Sequence, residues 1–130
     1  MTTTTLTIKT PASCIGNVKG MDGYRGKYAV VTVKLRPVDR AEQDILVLDN
    51  DTTVVSQSGE NYDENDAEYF LEGIRKGIDD VVVHYKKIGV GIAGIEVVID
   101  KLVVHPVDST AGAFRAAARN AMASCLVAAT

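Results

Sequence analysis

The sequence predicts an α+β fold in which two helices back an antiparallel or mixed sheet of about four strands, in the order β-β-β-α-β-α. Two changes of pattern carry this. Apolar residues recur at every second position before residue 56, then at every third or fourth from Asp63 to about Tyr85. A β-branched run over residues 95–104 is then followed by an alanine-rich segment of helical length. At 130 residues, 46% apolar and 24% charged, the chain is expected to form one domain over residues 1–130. That size buries a core without support from a metal or a disulfide.

The first strand is marked by Leu6 and Ile8, which point one way between threonines and Lys9. Residues 28–35 repeat the alternation, with Val31, Val33 and Leu35 on one face. Residues 44–55 hold Ile45, Val47, Leu48, Val54 and Val55 around the turn-forming Asp49-Asn50-Asp51, which makes a third strand or a hairpin. Three strands in succession predict an antiparallel meander. Ala67, Leu71, Ile74, Ile78, Val81 or Val82, and Tyr85 then trace one amphipathic helix. Gly73 and Gly77 lie inside it four residues apart. Each costs about 1 kcal/mol relative to alanine, so a close neighbour is expected there. Residues 89–94 end that helix, residues 95–104 form a buried strand, and a second helix runs from Ser109 or Thr110 to about Ala128. Its larger apolar residues are Phe114, Met122, Cys125 and Leu126, and so thin a helix lets its neighbours come near.

Fourteen bases against seventeen acids give a net charge of −3, which offers no general attraction to nucleic acid. Any RNA contact must therefore be local. The charges are segregated: residues 1–36 carry six bases and one acid, Asp22, whereas residues 37–72 carry eleven acids and one base, Arg40. The acidic stretch over residues 58–72 reads as a solvated loop entering a helix whose first turn favours carboxylates. Cys14 and Cys125 are far apart in sequence and show neither C-x-x-C nor Cys/His spacing, so they read as reduced thiols with no zinc or redox pairing. Residues 1–10 lack the basic start and apolar run of a signal peptide, and nothing approaches the ~20 apolar residues of a membrane span. A soluble cytoplasmic protein without metal or cofactor is expected.

Three segments carry candidate chemistry. Gly89-Val90-Gly91-Ile92-Ala93-Gly94 matches G-x-G-x-x-G, but a dinucleotide fingerprint follows a strand and opens a helix, whereas these glycines close a helix and open a strand. They read as a helix stop and turn, and no phosphate-loop motif occurs elsewhere. The stretch G-M-D-G-Y-R-G from Gly20 to Gly26, followed by Lys27 and Tyr28, sets arginine and lysine among tyrosines in a glycine-punctuated loop. Looped RNA is read with such groups, by phosphate pairing and base stacking. His105-Pro106-Val107-Asp108-Ser109-Thr110 places an imidazole on a strand-to-helix connection, where Asp108 or Ser109 is expected to cap the helix. His105 has no structural duty visible in sequence and could donate to phosphate or serve as an acid or base. His84, beside Tyr85 and Lys86, reads as a helix flank.

Together these segments resemble domain IV of translation elongation factor G and its relatives. The family's tip loop, roughly G-G-R-G-Q-Y-G-H-V, is similar to Gly23-Tyr24-Arg25-Gly26-Lys27-Tyr28-Ala29-Val30-Val31. Its helix E-Y-I-x-A-V-x-K-G-I resembles residues 68–78, and its G-x-L-A-G-Y-P-V-V turn resembles residues 91–98. Its H-D-V-D-S-S followed by A-F resembles residues 105–110 with Ala113-Phe114. The resemblance implies a fold shared with a domain of a small-subunit ribosomal protein, containing a left-handed β-α-β crossover. It also implies a domain that mimics the anticodon arm of tRNA and reaches the decoding site with both loops at its tip. Departures reshape that tip: Tyr24 interrupts the paired glycines, Lys27 replaces glutamine, Pro106 replaces aspartate, and Leu102-Val103-Val104 stands for Gly-Ser-Tyr.

The expected function is thus that of a stand-alone, non-catalytic relative of this domain, binding structured RNA or the small ribosomal subunit through Tyr24, Arg25, Lys27 and His105. With no GTPase domain or nucleotide-hydrolysis motif in the sequence, it is not expected to be an enzyme. Two other readings compete. One is a homo-oligomer or protein-interaction module that pairs its segregated charges and has lost RNA binding. The other is a small enzyme using His105 and Asp108 as acid and base.

Overall fold

The computed structural model describes residues 4–19, 28–38, 46–48, 52–56, 64–104 and 109–129. Its elements run β1 (Thr4–Leu6), β2 (Ala12–Lys19), β3 (Tyr28–Pro37), β4 (Leu46–Leu48), β5 (Thr53–Ser56), α1 (Glu64–Lys87), β6 (Val90–Ile92), β7 (Ile95–Val104) and α2 (Ala111–Ala129). The α+β class and the two helices are as the sequence predicts, and β7 keeps its expected bounds. The strands are more numerous. β2 pairs antiparallel with β3 in unbroken register from Ala12↔Leu35 to Lys19↔Tyr28, and β3 pairs antiparallel with β7. The short β1 and β6 form a separate parallel pair, Thr4↔Val90 to Leu6↔Ile92.

The expected meander is corrected at its first and third members: the strand expected at Leu6 and Ile8 stands outside the main sheet as β1, and β2 takes the place beside β3. β4 and β5 do not return beside β3; both run parallel to β7 on its other side, β4 against Glu96 to Val98 and β5 against Lys101 to Val104. β4 and β5 are therefore two pieces of one edge rather than the arms of a hairpin. Five steps from Leu48 to Thr53 match three from Val98 to Lys101, so the two pieces are offset by two positions along β7. β7 carries its own irregularity, because Thr32 pairs with Lys101 and Val33 with Ile99. Asp100 is the extra residue of this bulge. Thr52 Oγ1 donates to the Ile99 carbonyl at 2.6 Å and fixes the start of β5 there. With β5 and β7 parallel neighbours, α1 is the crossover of a β-α-β unit.

Both helices pack on one face of the sheet and supply the core together with Ala29, Val31, Val33, Leu35, Val97, Ile99 and Leu102. α1 buries Phe70, Ile74, Ile78, Val81 and Val82, whose spacing of three and four forms one stripe. α2 buries Ala113, Ala117, Ala118 and Ala121 beside Phe114, Met122, Cys125 and Leu126. The helices touch backbone to backbone, as the two helical glycines imply. A Cβ at Gly73 would lie 2.4 Å from the Ala111 carbonyl oxygen, and one at Gly77 would lie 2.3 Å from that of Arg115. These contacts align the helices in parallel, with both N-termini at one end. α2 approaches the sheet just as closely, since a Cβ at Gly16 of β2 would meet the Ala117 carbonyl oxygen at 1.9 Å.

The helix stop falls where the glycine-rich motif ends α1. Gly89 adopts φ +83°, in the left-handed region, and its amide donates to the Lys86 carbonyl at 3.0 Å. Gly94, at φ +69°, turns the chain into β7. The motif is thus a helix terminator and a strand starter, with β6 between them.

Candidate functional site

Directions of the elements gather three connections at one end of the molecule. β2 ends at Lys19 opposite the start of β3 at Tyr28, so residues 20–27 bridge that hairpin. β7 arrives at the same end, with Val103 paired to Val30 and Val104 paired to Ser56, the last residue of β5. Residues 105–108 therefore depart from a point beside the hairpin, and residues 57–63 depart from the neighbouring strand. A hydrogen bond ties two of these bases together: Ser109 Oγ donates to the Tyr28 carbonyl at 2.7 Å. The residue that enters α2 is held to the residue that enters β3.

Tyr24, Arg25, Lys27, His105 and Asp108 lie outside the described residues. Their anchors do not. Next to Asp108 and Ser109, where the cap of α2 is expected, Thr110 Oγ1 accepts the Ala113 amide at 3.1 Å. α2 carries no acid in its first turn, so the partial positive charge of its N-terminus is not offset within the helix. α1 begins at the same end with Glu64, Asp66 and Glu68 near its start, and this acidic sequence favours its own N-terminus.

Away from that end, charges are paired. Asp80 of α1 accepts two bonds from Arg115 of α2, from Nε at 2.6 Å and from a terminal nitrogen at 2.7 Å, and Arg119 stands 4.0 Å away. The hydrogen bond from Arg115 holds the Asp80 carboxyl below its ordinary value, against a smaller opposing effect of burial. On the sheet face that the helices leave open, Arg36 pairs with Glu96 and Lys34 lies 3.7 Å from Asp100. His84 is exposed on α1 with its ring edge toward Tyr85 at 6.0 Å, a flank position as expected. Among the described residues, no three metal-binding side chains cluster and no helix is long and apolar enough to cross a membrane.

β2 is the element that sequence reasoning missed. Its inward positions are Ala12, Cys14, Gly16 and Val18, small residues whose alternation is faint, while the large Ile15 faces outward at 61% exposure. The signal was the glycine itself, at period two with Cys14 and Val18.

Comparison with known proteins agrees with this architecture. The family model for elongation factor G, domain IV, matches residues 5–130. A crystal structure of a protein from Thermus thermophilus is similar over 96% of this chain with a TM-score of 0.66 and 23% identity. The chain spans 16% of that protein's length, and at this identity the likeness concerns the fold. No curated protein matches.

Proposed function

Because the chain belongs to the elongation factor G domain IV family, we propose that it binds structured RNA through the connections at the shared end of its sheet, with the small ribosomal subunit as the RNA-bearing partner. The observation that carries this reading is the Ser109–Tyr28 hydrogen bond. It joins the base of the glycine-punctuated segment to the base of the histidine segment, so groups on both can address one ligand. Arg25 and Lys27 supply phosphate contacts, Tyr24 a stacking surface, and His105 a donor to phosphate or a 2′-hydroxyl. No bond is made or broken by these residues. The chain's excess of acid leaves the affinity to this local patch, so binding is expected to be strongly salt-dependent.

The test is co-sedimentation with small ribosomal subunits at low and moderate salt, using the native sequence and the Arg25→Ala/His105→Ala variant. Salt-sensitive binding that the variant loses supports the reading. Equal sedimentation of both proteins, or none by either, contradicts it.

A second reading has its own observation. β2 is an outer strand of the five-stranded sheet, and Ile15 is exposed on it. An exposed strand edge pairs readily with another chain, which favours a homo-oligomer or a protein-interaction module. Light scattering at several salt concentrations tests self-association. A monomer at every concentration removes it.

A further inference from the structure

Two thiols that lie 111 positions apart in sequence meet in the fold. Cys14 stands opposite Val33 in the β2–β3 ladder, and Cys125 Sγ lies 3.6 Å from the Val33 carbonyl oxygen, to which it donates. Both cysteines thus converge on one residue of β3. Gly16 fixes the spacing independently. A Cβ there would fall 1.9 Å from the Ala117 carbonyl oxygen and 3.0 Å from Ala121 Cβ, so α2 rides directly on the backbone of β2. β2 and α2 run in opposite directions. Two residues back along β2 cover about 6.8 Å, and four residues forward along α2 cover about 6 Å. Stepping from Gly16 therefore reaches Cys14, and the matching step from Ala121 reaches Cys125.

The two sulfurs also differ in access. Cys125 is buried, whereas Cys14 is half-buried on the edge strand. Burial, and then the hydrogen bond with Cys14, push the Cys125 thiol up. One sulfur can be reached by a small solute, and the other is stored as a thiol against it.

We propose that Cys14 and Cys125 are a disulfide-forming pair, closed by a peroxide and opened by a dithiol reductant, which reversibly bolts α2 to the edge of the sheet. The Cys14 thiolate attacks one oxygen of hydrogen peroxide; the O–O bond breaks, Cys14 becomes a sulfenic acid, and hydroxide takes up the thiol's proton to leave as water. The Cys125 sulfur then displaces the sulfenic oxygen, which leaves as a second water with the Cys125 proton. Two thiols and one peroxide give one disulfide and two waters. A dithiol reductant returns both thiols by exchange through a mixed disulfide.

The cross-link closes nearly the whole chain into one loop, which removes freedom from the unfolded state. It lies toward the end where Lys9 donates to the Ala129 carbonyl, away from Ser109 and Tyr28. RNA binding and cross-linking can accordingly succeed or fail separately.

The test treats the reduced protein with a small excess of hydrogen peroxide, then alkylates it under denaturing conditions. The expected product is a monomer that has lost two hydrogens, takes up no alkylating agent, yields a Cys14–Cys125 peptide, and reverts with dithiothreitol. Its Tm rises by about 5–10 °C. Cys14→Ser shows no such rise and keeps one alkylatable thiol, and this edge substitution leaves the core residue in place. Two alkylatable thiols after peroxide, a dimer linked through Cys14, or Cys14 over-oxidised without a cross-link would each overturn the proposal.

Discussion

The two helices reach the same core by opposite means. α1 spans its distance with large side chains, Phe70, Ile74, Ile78, Val81 and Val82, and its backbone stands farther from β2 and β3 than that of α2. α2 brings its backbone in, resting Ala117 on Gly16 and offering the Ala111 and Arg115 carbonyls to the two glycines of α1. The difference teaches where each is vulnerable. α1 holds the core by volume and is damaged by truncation, whereas α2 sits on the glycines of its neighbours, Gly16, Gly73 and Gly77, and is unseated when they are enlarged.

The largest effect is expected from Gly16→Val, which drives a side chain into the Ala117 carbonyl. Loss of more than about 3 kcal/mol, or failure to fold, is predicted in urea unfolding. Truncating α1 comes next: Ile78, fully buried, should cost about 2–5 kcal/mol as Ile78→Ala. A paired test at two glycines sharpens the contrast. Glycine to alanine within a helix ordinarily gains up to about 1 kcal/mol. Gly112→Ala, whose new Cβ finds nothing nearer than Thr110 Oγ1 at 3.9 Å, should show a gain of that order. Gly77→Ala should reverse the sign and cost about 1–3 kcal/mol, since its Cβ meets the Arg115 carbonyl oxygen. Gains at both positions would mean that the helices can part without penalty.

The smallest effect lies on the helix surface. Asp80 is held below its ordinary value by Arg115, so its folded form binds a proton less readily than the unfolded chain. Its contribution is therefore present above the unfolded value near pH 4 and is lost as pH falls through the folded value. The gap in urea midpoint between the native sequence and Asp80→Asn should be widest near neutrality and close in strong acid. A gap independent of pH would remove the ion pair from the account.

What the sequence made legible follows the same division. α1 and β7 were readable because large apolar residues mark their faces at helical and strand periods. The thin second helix was readable as well, and Gly73 and Gly77 foretold its close approach. β2 was not, because Cys14, Gly16 and Val18 carry so little hydrophobic signal that a strand under an alanine helix looks like a loop. The antiparallel meander failed for a different reason. Local pattern defines a strand but not its neighbour, and the chain from β3 crosses to the far side of β7 before pairing. At the candidate site, the glycine-rich segment and His105 were visible as residues. That the bases of their connections meet through Tyr28 and Ser109 was not, because that contact spans 81 positions.

A single local patch that holds RNA on an otherwise acidic protein leaves its mark in the salt dependence of binding. The logarithm of the association constant for the small ribosomal subunit should fall linearly with the logarithm of salt concentration for the native sequence, and Arg25→Ala should make that slope shallower by about one unit. A slope near zero, or one that Arg25→Ala leaves unchanged, would contradict it.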